Sequence, residues 1–518
     1  MTGAIHRRTF NEHWETAVAE HGRRPFLMFH DDTDTTGYTY RDFEQIVAKT
    51  AGTLRHHGVR PGTSVHVVLR NSPAFVALWL AATRLGAWLV PVDPASTARD
   101  ITGQVRRTRP AVAVCAGARA ATFREGAQGL VPHIIEIGET AADFAVEGPF
   151  GAGNPVTAAA HDIGPSDRLA VMFTSGTTSE PKGVVLTQEN YSTVGEIMAA
   201  AVGLGPEHRW LVTLPLFHAN AQYYCFAPAI ATGASIALTH TFSASRWVHQ
   251  AHELGATHAS LFAAPIRMIL ARCGPDRPPL RLEHVWFAQS LGREHHEQFG
   301  ELVGCRPRQL YGMTETVAAV TGDTSDPLRH DVIGEPLGGR EVDVVNPETG
   351  GPTPPGTPGK LRVRGVRGVD LFDSYLDDPE TTNRGFTDLA DETSWFDTGD
   401  LVIADAETGA FRFVGRADDV IKVSGENVSL TEVESVLGQA PGVLEAAVVA
   451  QPDPIRDQIP VAYVVPRDGA APPDVETLEQ WASVNLSPAA RPRVWHLIDE
   501  LPRTSVGKVR RFRMTTDP

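Results

Sequence analysis

Cysteine is scarce in this chain. The 518 residues contain four cysteines, Cys115, Cys225, Cys273 and Cys305, which lie far apart. No two of them form a CxxC pair, so the sequence indicates neither a zinc site nor a disulfide framework. A reducing compartment suits such a chain, and we expect a cytoplasmic protein.

Positive charge is also in short supply. The chain has 46 lysines and arginines against 62 aspartates and glutamates, which gives a formal net charge of −16. This balance argues against a general nucleic-acid binder, because phosphate backbones are held by an excess of basic residues. The net charge does not argue against a small phosphorylated ligand, because a local basic loop is enough to bind one.

Long uninterrupted apolar runs are missing. The first residues, MTGAIHRRTF, lack the apolar core of a secretory signal. Residues 74–92 are apolar but contain Arg84 and Gly86, and residues 211–238 are interrupted by prolines, a histidine and a glycine. Both stretches are too broken for a membrane-spanning helix, so we expect buried core segments and no membrane partner.

The length and the pattern of the chain predict an α/β protein with two or more domains. Residues 64–69 and 88–92 read as strands on either side of a helix at 73–85, which predicts a parallel sheet. Similar alternation continues over residues 210–303. From about residue 335, short alternating runs predict small β-sheets. We therefore expect doubly wound sheets with a small β-barrel-like part.

The last hundred residues read as a separate, small α+β domain. Ser429 and Glu432 form a capping box at the start of an amphipathic helix. Residues 443–450 and 461–465 read as strands. We predict a large N-terminal domain over residues 1–417 and a C-terminal domain over residues 418–518.

A polar loop lies between two apolar runs in residues 169–190, LAVMFTSGTTSEPKGVVLTQEN. The runs predict buried strands, and Thr187 is a suitable N-cap for the next helix. Glycines let backbone N–H groups turn toward an anion, hydroxyls donate hydrogen bonds, and a lysine supplies a point charge. The loop residues that suit a phosphate group are Thr174, Ser175, Gly176, Thr177, Thr178 and Lys182.

This loop is not a Walker A motif. That motif needs glycine immediately before its lysine and serine or threonine immediately after it, whereas Pro181 precedes Lys182 and Gly183 follows it. Its composition also fits a polar surface hairpin, because Gly, Ser, Thr and Pro are ordinary loop residues. Composition alone leaves both interpretations open.

Four further motifs follow along the chain. Residues 311–316 read YGMTET and combine an aromatic ring, hydroxyls and a carboxylate, a set that suits a nucleotide with Mg²⁺. Residues 396–400 read FDTGD, residues 415–429 read GRADDVIKVSGENVS, and residues 502–511 read PRTSVGKVRR. Taken singly, they also fit two turns, a solvated hairpin and a basic tail.

Together the five motifs, in this order and over nearly the whole chain, resemble the adenylate-forming superfamily of acyl-CoA synthetases, peptide-synthetase adenylation domains and luciferases. YGMTET, GENVS and the PDPIRD stretch at Pro452 are most similar to the carnitine/crotonobetaine-CoA ligase-like branch. The resemblance implies the fold described above, a mobile C-terminal domain, and an enzyme that forms an adenylate from ATP.

The resemblance also implies how the nucleotide is bound. Tyr311 contacts adenine, Thr314 contacts the α-phosphate, and Glu315 binds Mg²⁺. Asp400 and Arg416 hold the ribose. The loop at residues 174–182 then binds the remaining phosphates.

Four residues late in the chain are implied to serve catalysis and domain rotation. Lys508 matches the family's catalytic lysine, which is needed because charge develops where a carboxylate oxygen attacks the α-phosphorus and pyrophosphate leaves. Asp418 matches the hinge between the domains. Lys422 and Gly425 fall on the loop that faces the active site after rotation, where the family admits pantetheine.

The acid pocket departs from the family pattern. Residues 286–291 read WFAQSL, where many acyl-CoA synthetases carry a Gly-Gly-Ala-Pro-Leu-like segment. Bulk at Phe287 and an amide at Gln289 predict a short or polar pocket, which excludes a long fatty acyl chain and favours a compact aromatic or polar acid. His218, in LPLFHANAQ, matches a family position at the acyl pocket, although a core histidine also fits. The predicted pocket residues are His218, Tyr223, Phe287, Gln289 and Gly312.

We therefore predict ATP-dependent activation of a compact carboxylic acid, followed by transfer to CoA, with Mg²⁺ as cofactor. The same ATP site serves relatives that make amides, load carrier proteins, or activate nitrite to diazotise an aryl amine in secondary metabolism, and the motifs do not separate these acceptors. A non-catalytic binding module is disfavoured by intact Lys182, Glu315, Asp400 and Lys508. A homodimer is compatible with the sequence.

Overall fold

A computed structural model describes residues 7–159, 163–174, 181–326, 328–417, 419–424, 426–467, 473–503, 509–511 and 514. Within these residues the helices are α1 Phe10–His21, α2 Tyr40–His56, α3 Pro73–Arg84, α4 Ala98–Thr108, α5 Ala120–Ala127, α6 Gln188–Val202, α7 Ala227–Thr232, α8 Trp247–Glu253, α9 Ala263–Arg272, α10 Arg293–Val303, α11 Pro379–Gly385, α12 Leu430–Leu437 and α13 Val475–Asn485.

The strands of the first half are β1 Pro25–His30, β2 Thr35–Thr39, β3 Ser64–Val68, β4 Trp88–Pro91, β5 Val112–Ala116, β6 His133–Ile137, β7 Arg168–Thr174, β8 Lys182–Thr187, β9 Arg209–Val212, β10 Ser235–Thr239, β11 His258–Phe262 and β12 His284–Ala288. Those of the second half are β13 Arg308–Tyr311, β14 Thr321–Gly322, β15 Glu335–Pro336, β16 Glu341–Val345, β17 Pro358–Gly365, β18 Ser374–Tyr375, β19 Phe386–Asp388, β20 Ser394–Ala404, β21 Phe411–Arg416, β22 Val420–Val423, β23 Glu426–Ser429, β24 Val443–Asp453, β25 Asp457–Pro466 and β26 Val494–Leu497.

Two large, mainly parallel sheets organise the first three hundred residues. One has the strand order β15-β14-β13-β12-β11-β9-β10-β1-β2, and the other has the order β18-β8-β7-β4-β3-β5-β6. β3 and β4, which flank α3, pair in parallel, as the strand–helix–strand pattern predicts. Apolar side chains pack on both faces of the nine-stranded sheet. The predicted α/β class is confirmed.

Helix α3 shows why one apolar stretch is core. Every residue of α3 is buried, and Ser72 caps its first turn by accepting a hydrogen bond from the Phe75 N–H. Its one charged residue, Arg84, is 1% exposed and pairs with Glu44 at 2.7 Å. Among the described residues, no helix has the length and apolar character that crossing a membrane requires.

Smaller sheets follow. β16, β17, β20 and β19 form an antiparallel sheet to which β21 is added along β20, and this is the predicted small β part. β23, β22, β25 and β24 form the last sheet with β26 beside β25, and α12 and α13 share its apolar core. The predicted domain boundary between residues 417 and 418 stays a prediction.

The end of the chain differs from the expected basic tail. The Arg511 guanidinium donates to both oxygens of Glu434, at 3.0 and 2.7 Å, and to Asp419 at 2.9 Å. Bidentate pairing of this kind fixes the position of an arginine side chain. Arg511 therefore anchors the chain end to α12 and to the residue that follows the predicted hinge position.

Candidate active site

The predicted adenine and ribose residues lie together. Tyr311 is the last residue of β13, and its hydroxyl donates to Asp400 Oδ2 at 2.5 Å. Asp400 lies opposite Arg416 in the β20–β21 pairing, and Arg416 Nη1 is 3.6 Å from Asp400 Oδ1. Burial, and secondarily the charge of Asp400, raises the pKa of Tyr311 well above its usual value, so the phenol remains a neutral donor.

Glu315, the carboxylate predicted to bind the metal, follows Tyr311 in the same segment. Glu315 sits in a short 3₁₀ turn, Thr314–Thr316, where the Met313 N–H donates to Thr316 Oγ1 at 3.0 Å. The buried Arg340 supports this turn from behind, because its guanidinium donates to the carbonyl oxygens of Thr316 and Asp370. The turn holds Glu315 as a 5% exposed carboxylate.

Tyr375 links this carboxylate to the predicted phosphate lysine. Its hydroxyl donates to Glu315 Oε1 at 3.1 Å, and Lys182 Nζ lies 5.0 Å from the centre of its ring. Lys182 pairs with Thr174 across β7 and β8, so both ends of the predicted phosphate loop lie together. Ser175, Gly176, Thr177 and Thr178, which complete that loop, lie outside the described residues.

The donor set at Glu315 fits a magnesium ion that is shared with a nucleotide. Mg²⁺ in nucleotide sites is held by one or two carboxylates together with substrate phosphates, and it keeps several waters. Among the residues that the structure describes, no group of three or more His, Cys, Asp or Glu side chains could hold a metal ion. A single carboxylate beside a lysine therefore suits a metal–phosphate complex rather than a metal cage made of protein ligands.

Several residues predicted for the acid pocket lie at an unusual helix. Residues Asn220–Phe226 form a π-helix that is buried throughout. Gln222 anchors it by donating to the Leu216 carbonyl at 2.6 Å and accepting from the Tyr191 hydroxyl at 2.6 Å. His218 lies just before this helix, half-buried, with its ring 4.7 Å from that of Phe217. π-Helical turns inside helices occur frequently at functional sites.

Gly312 and Tyr224 fit against each other at this site. A Cβ atom at Gly312 would lie 2.7 Å from the Tyr224 hydroxyl oxygen, so only glycine leaves room for that hydroxyl. Tyr223 is completely buried, and its ring lies 5.4 Å from that of Tyr191. Its hydroxyl has no hydrogen-bond partner among the described residues. Tyr224, the neighbour of the predicted pocket residue Tyr223, thus lies against Gly312, at a distance that leaves no room for a side chain there.

The expectation for Phe287 is wrong. Strand residues alternate between the two faces of a sheet, and Phe287 packs with Phe299 in the core on one face while Trp286 packs in the core on the other. Trp286 shares its core with Tyr223. Trp286, not Phe287, is therefore the bulky side chain of this segment that lies in the same core as Tyr223.

Gln289, the other predicted pocket residue of this segment, lies just after the end of β12. Gln289 is exposed, and its carbonyl oxygen accepts from Gln309 Nε2 at 3.1 Å. Its φ of 74° lies in the left-handed region, which glycine adopts freely and other residues adopt at a cost. The backbone conformation at Gln289 is therefore one that favours glycine.

The residues predicted for the second step are described in part. Lys422 is exposed on β22 and lies opposite Asn427 in the β22–β23 hairpin. The Ser424 N–H donates to the Arg456 carbonyl at 3.0 Å, so this hairpin contacts the turn before β25. Asp418, Gly425 and Lys508 lie outside the described residues, and their roles stay predictions.

Two family models match the chain. The model of the AMP-binding enzyme matches residues 14–376, and that of the AMP-binding enzyme C-terminal domain matches residues 432–508. The chain belongs to the AMP-binding enzyme family. The predicted family is thereby confirmed, and the protein is an AMP-binding enzyme whose relatives include CoA ligases.

Relatives of this AMP-binding enzyme match nearly its whole length. A crotonobetaine/carnitine–CoA ligase of Salmonella arizonae is 28% identical, over 98% of this chain and 98% of the relative. The structure of the anthranilate CoA ligase AuaEII in complex with anthranoyl-AMP has a TM-score of 0.87 and 23% identity, over 98% of this chain and 96% of that chain. A benzoate CoA ligase from Burkholderia xenovorans has a TM-score of 0.85 and 23% identity, over 98% and 99% of the two chains.

Proposed function

We propose that this AMP-binding enzyme activates a compact aromatic or polar carboxylic acid with ATP, releases pyrophosphate, and transfers the acyl group from the adenylate to the thiol of CoA. The proposal rests on one observation above all. The YGMTE segment joins the ribose pair of Tyr311 and Asp400 at one end to the Glu315–Tyr375–Lys182 cluster at the other. Four residue steps span at most about 14 Å, which suits the distance from a nucleoside to its phosphates.

In the first half-reaction, some residues bind ATP and others stabilise the charge that develops. Asp400 and Arg416 hold the ribose, Lys182 and the loop after Thr174 bind the phosphates, and Glu315 would hold Mg²⁺. The metal, when bound, neutralises charge on the phosphate oxygens. A carboxylate oxygen of the acid then attacks the α-phosphorus and pyrophosphate leaves. We assign the stabilisation of the developing charge to Lys508.

The second half-reaction uses the other face of the C-terminal domain. The CoA thiol attacks the acyl carbon of the adenylate, a thioester forms, and AMP leaves. Lys422 and Gly425 lie on the hairpin that we assign to the CoA path, and Asp418 is the hinge that exchanges Lys508 for this hairpin. The exposure of Lys422 supports this assignment, since the side chain is available to a partner surface.

The residues beside Gly312 support a compact acid. The Tyr224 hydroxyl occupies the position beside Gly312, and Trp286 and Tyr223 are buried in one apolar core. The Tyr223 hydroxyl has no hydrogen-bond partner among the described residues, and a polar atom of the acid that accepts from it would offset the free-energy cost of burying it. The structures of anthranilate and benzoate CoA ligases, which share the fold, are consistent with an aromatic acid.

A substrate panel tests the proposal. Pyrophosphate release is measured with ATP and Mg²⁺ for acetate, palmitate, crotonobetaine, carnitine, and substituted benzoic and cinnamic acids, with a reaction without acid as control. Thioester formation is then measured with CoA for every acid that releases pyrophosphate. We expect a substituted aromatic acid to exceed acetate and palmitate at least tenfold in kcat/KM.

Other results would assign another function. Clear preference for palmitate would show an open pocket and contradict the compact-acid proposal. Pyrophosphate release without thioester would replace CoA with an amine, a carrier protein or another acceptor. ATP binding without pyrophosphate release from any acid would favour a binding module.

A further inference from the structure

We infer that Tyr375 is a positioning residue that serves both halves of the phosphate site at once: its hydroxyl orients Glu315 for Mg²⁺, and its ring holds Lys182 for the phosphates. The inference deepens the proposed function and rests on it. Tyr375 belongs to none of the five motifs, and it lies 60 residues beyond Glu315.

Tyr375 is fixed before any ligand arrives. It is 7% exposed, its backbone N–H donates to Thr382 Oγ1 at 2.9 Å, and its ring packs on Phe372 with 4.8 Å between ring centres. The packing of the ring on Phe372 sets the direction in which its hydroxyl points. A donor with a fixed direction fixes the carboxylate that accepts from it.

The backbone around Tyr375 joins the two functional segments. The Phe372 N–H donates to the Glu315 carbonyl at 2.9 Å, and the Leu376 N–H donates to the Gly183 carbonyl at 2.7 Å. Tyr375 itself lies opposite Val184 on β8, the strand that begins at Lys182. Residues 372–376 thus connect the segment of the metal carboxylate to the strand of the phosphate lysine.

Each contact of the side chain has a known physical effect. The hydroxyl makes a charge-assisted hydrogen bond to Glu315, and loss of such a bond to a metal-binding carboxylate typically lowers metal affinity 10- to 100-fold. The ring face attracts the Lys182 ammonium through its quadrupole. Phenylalanine at this position would keep the second effect and lose the first, so the two can be separated.

The experiment measures equilibrium binding of ATP by calorimetry, without acid, over a range of Mg²⁺ concentrations. In Tyr375→Phe we expect affinity for ATP in EDTA to stay within twofold of wild type. The Mg²⁺ midpoint, which is the Mg²⁺ concentration that gives half of the metal-dependent change in ATP affinity, should rise about tenfold. In Tyr375→Leu we expect the same metal shift and a further two- to fivefold loss of affinity for metal-free ATP.

Two controls separate this role from a structural one. Tyr40→Phe removes another buried hydroxyl, which donates to the carbonyls of Ala229 and Ala234, and we expect it to change neither quantity. Tyr375→Phe combined with Glu315→Gln should shift the Mg²⁺ midpoint no further than Glu315→Gln alone, because the hydroxyl acts through that carboxylate.

The inference is overturned if Tyr375→Phe has the wild-type Mg²⁺ midpoint, or if its affinity for metal-free ATP falls as much as that of Tyr375→Leu. Tyr375→Phe decides the matter even if Tyr375→Leu does not fold, because the conservative change keeps the packed ring. Failure of the wild-type protein to bind ATP would instead overturn the proposed function, and this inference with it.

Discussion

The Tyr311 hydroxyl donates to the Asp400 carboxylate across two different sheets. Tyr311 ends β13 of the nine-stranded sheet, and Asp400 lies in β20 of the antiparallel sheet, 89 residues later, yet the two oxygens are 2.5 Å apart. The other carboxylate oxygen faces Arg416 at 3.6 Å. One carboxylate therefore orients both of its protein neighbours, and its removal should disturb nucleotide binding more than removal of either neighbour.

This gives a prediction for Asp400→Asn. The amide keeps the shape but loses the charge, so we expect KM for ATP to rise roughly tenfold or more, since hydrogen bonds to charged groups contribute about 1.5–3 kcal/mol. Tyr311→Phe should raise it less. The measurement is acid-dependent exchange of pyrophosphate into ATP. Asp397→Asn, in the same motif but paired with Lys360 at 3.1 Å, is the control and should stay within twofold.

A second prediction concerns Lys508→Ala. We expect adenylate formation to fall about 100-fold or more, because one preorganised charge contact contributes roughly 3 kcal/mol to the transition state. Thioester formation from supplied acyl-AMP and CoA should remain near wild type. Each half-reaction is measured in a single turnover, with Arg510→Ala as the control. An equal loss in both half-reactions would remove Lys508 from its assigned role.

The third prediction concerns the backbone at Gln289. Its φ of 74° is unfavourable for a side chain, so Gln289→Gly should raise the free energy of unfolding by up to about 1 kcal/mol, whereas Gln289→Val should lower it. Gln298→Gly, an exposed position in α10, is the matched control and should lower it by about 1 kcal/mol. Thermal-denaturation midpoints of the variants check this. A lower midpoint for Gln289→Gly would show that the side chain makes a stabilising contact.

The fourth prediction concerns acid stability. Burial, with a neighbouring histidine second, lowers the pKa of His284 to about 3 and that of His258 to about 4. An unfolded histidine has a pKa of about 6.5. Between these values the unfolded chain binds protons that the folded chain does not, so stability falls as pH drops below about 6.5, by about 2 kcal/mol per histidine at pH 5.

The measurement is the thermal midpoint of wild type and His284→Phe between pH 7 and pH 5. The phenyl ring retains the packing on Trp286, where the ring centres are 4.3 Å apart, so the variant should lose part of the pH dependence and keep most of the stability at pH 7. His252→Gln, at an exposed position, should keep the wild-type slope. An unchanged slope in His284→Phe would contradict the prediction.

Local patterns predicted the elements well. β3 at Ser64–Val68, α3 at Pro73–Arg84 and β4 at Trp88–Pro91 lie within one residue of the predicted bounds, because apolar runs define the strands and Ser72 caps the helix. The N-cap at Thr187 is also confirmed, since its side chain accepts from the Asn190 N–H. Such features depend on neighbours in sequence, and the sequence shows those neighbours.

Contacts between distant segments could not be predicted in this way. Tyr375 reaches Glu315 and Lys182 from a stretch whose composition is ordinary, and Arg511 meets Glu434 from a stretch that reads as a basic tail. Phe287 is a different case, because the alternation of strand residues can be read from the sequence and already separates Phe287 from Trp286.

The π-helix at Asn220–Phe226 has a consequence for how this pocket can change over generations. The Ala227 N–H donates to the Gln222 carbonyl five residues earlier, so the segment contains one residue more than an α-helical turn would hold. Each residue of an α-helix turns the next side chain by about 100°. Loss of a single codon here would therefore redirect Tyr223 and Tyr224 together, whereas point substitutions alter one wall at a time. A single deletion would therefore change, in one step, both the tyrosine that packs on Tyr191 and the tyrosine that lies against Gly312.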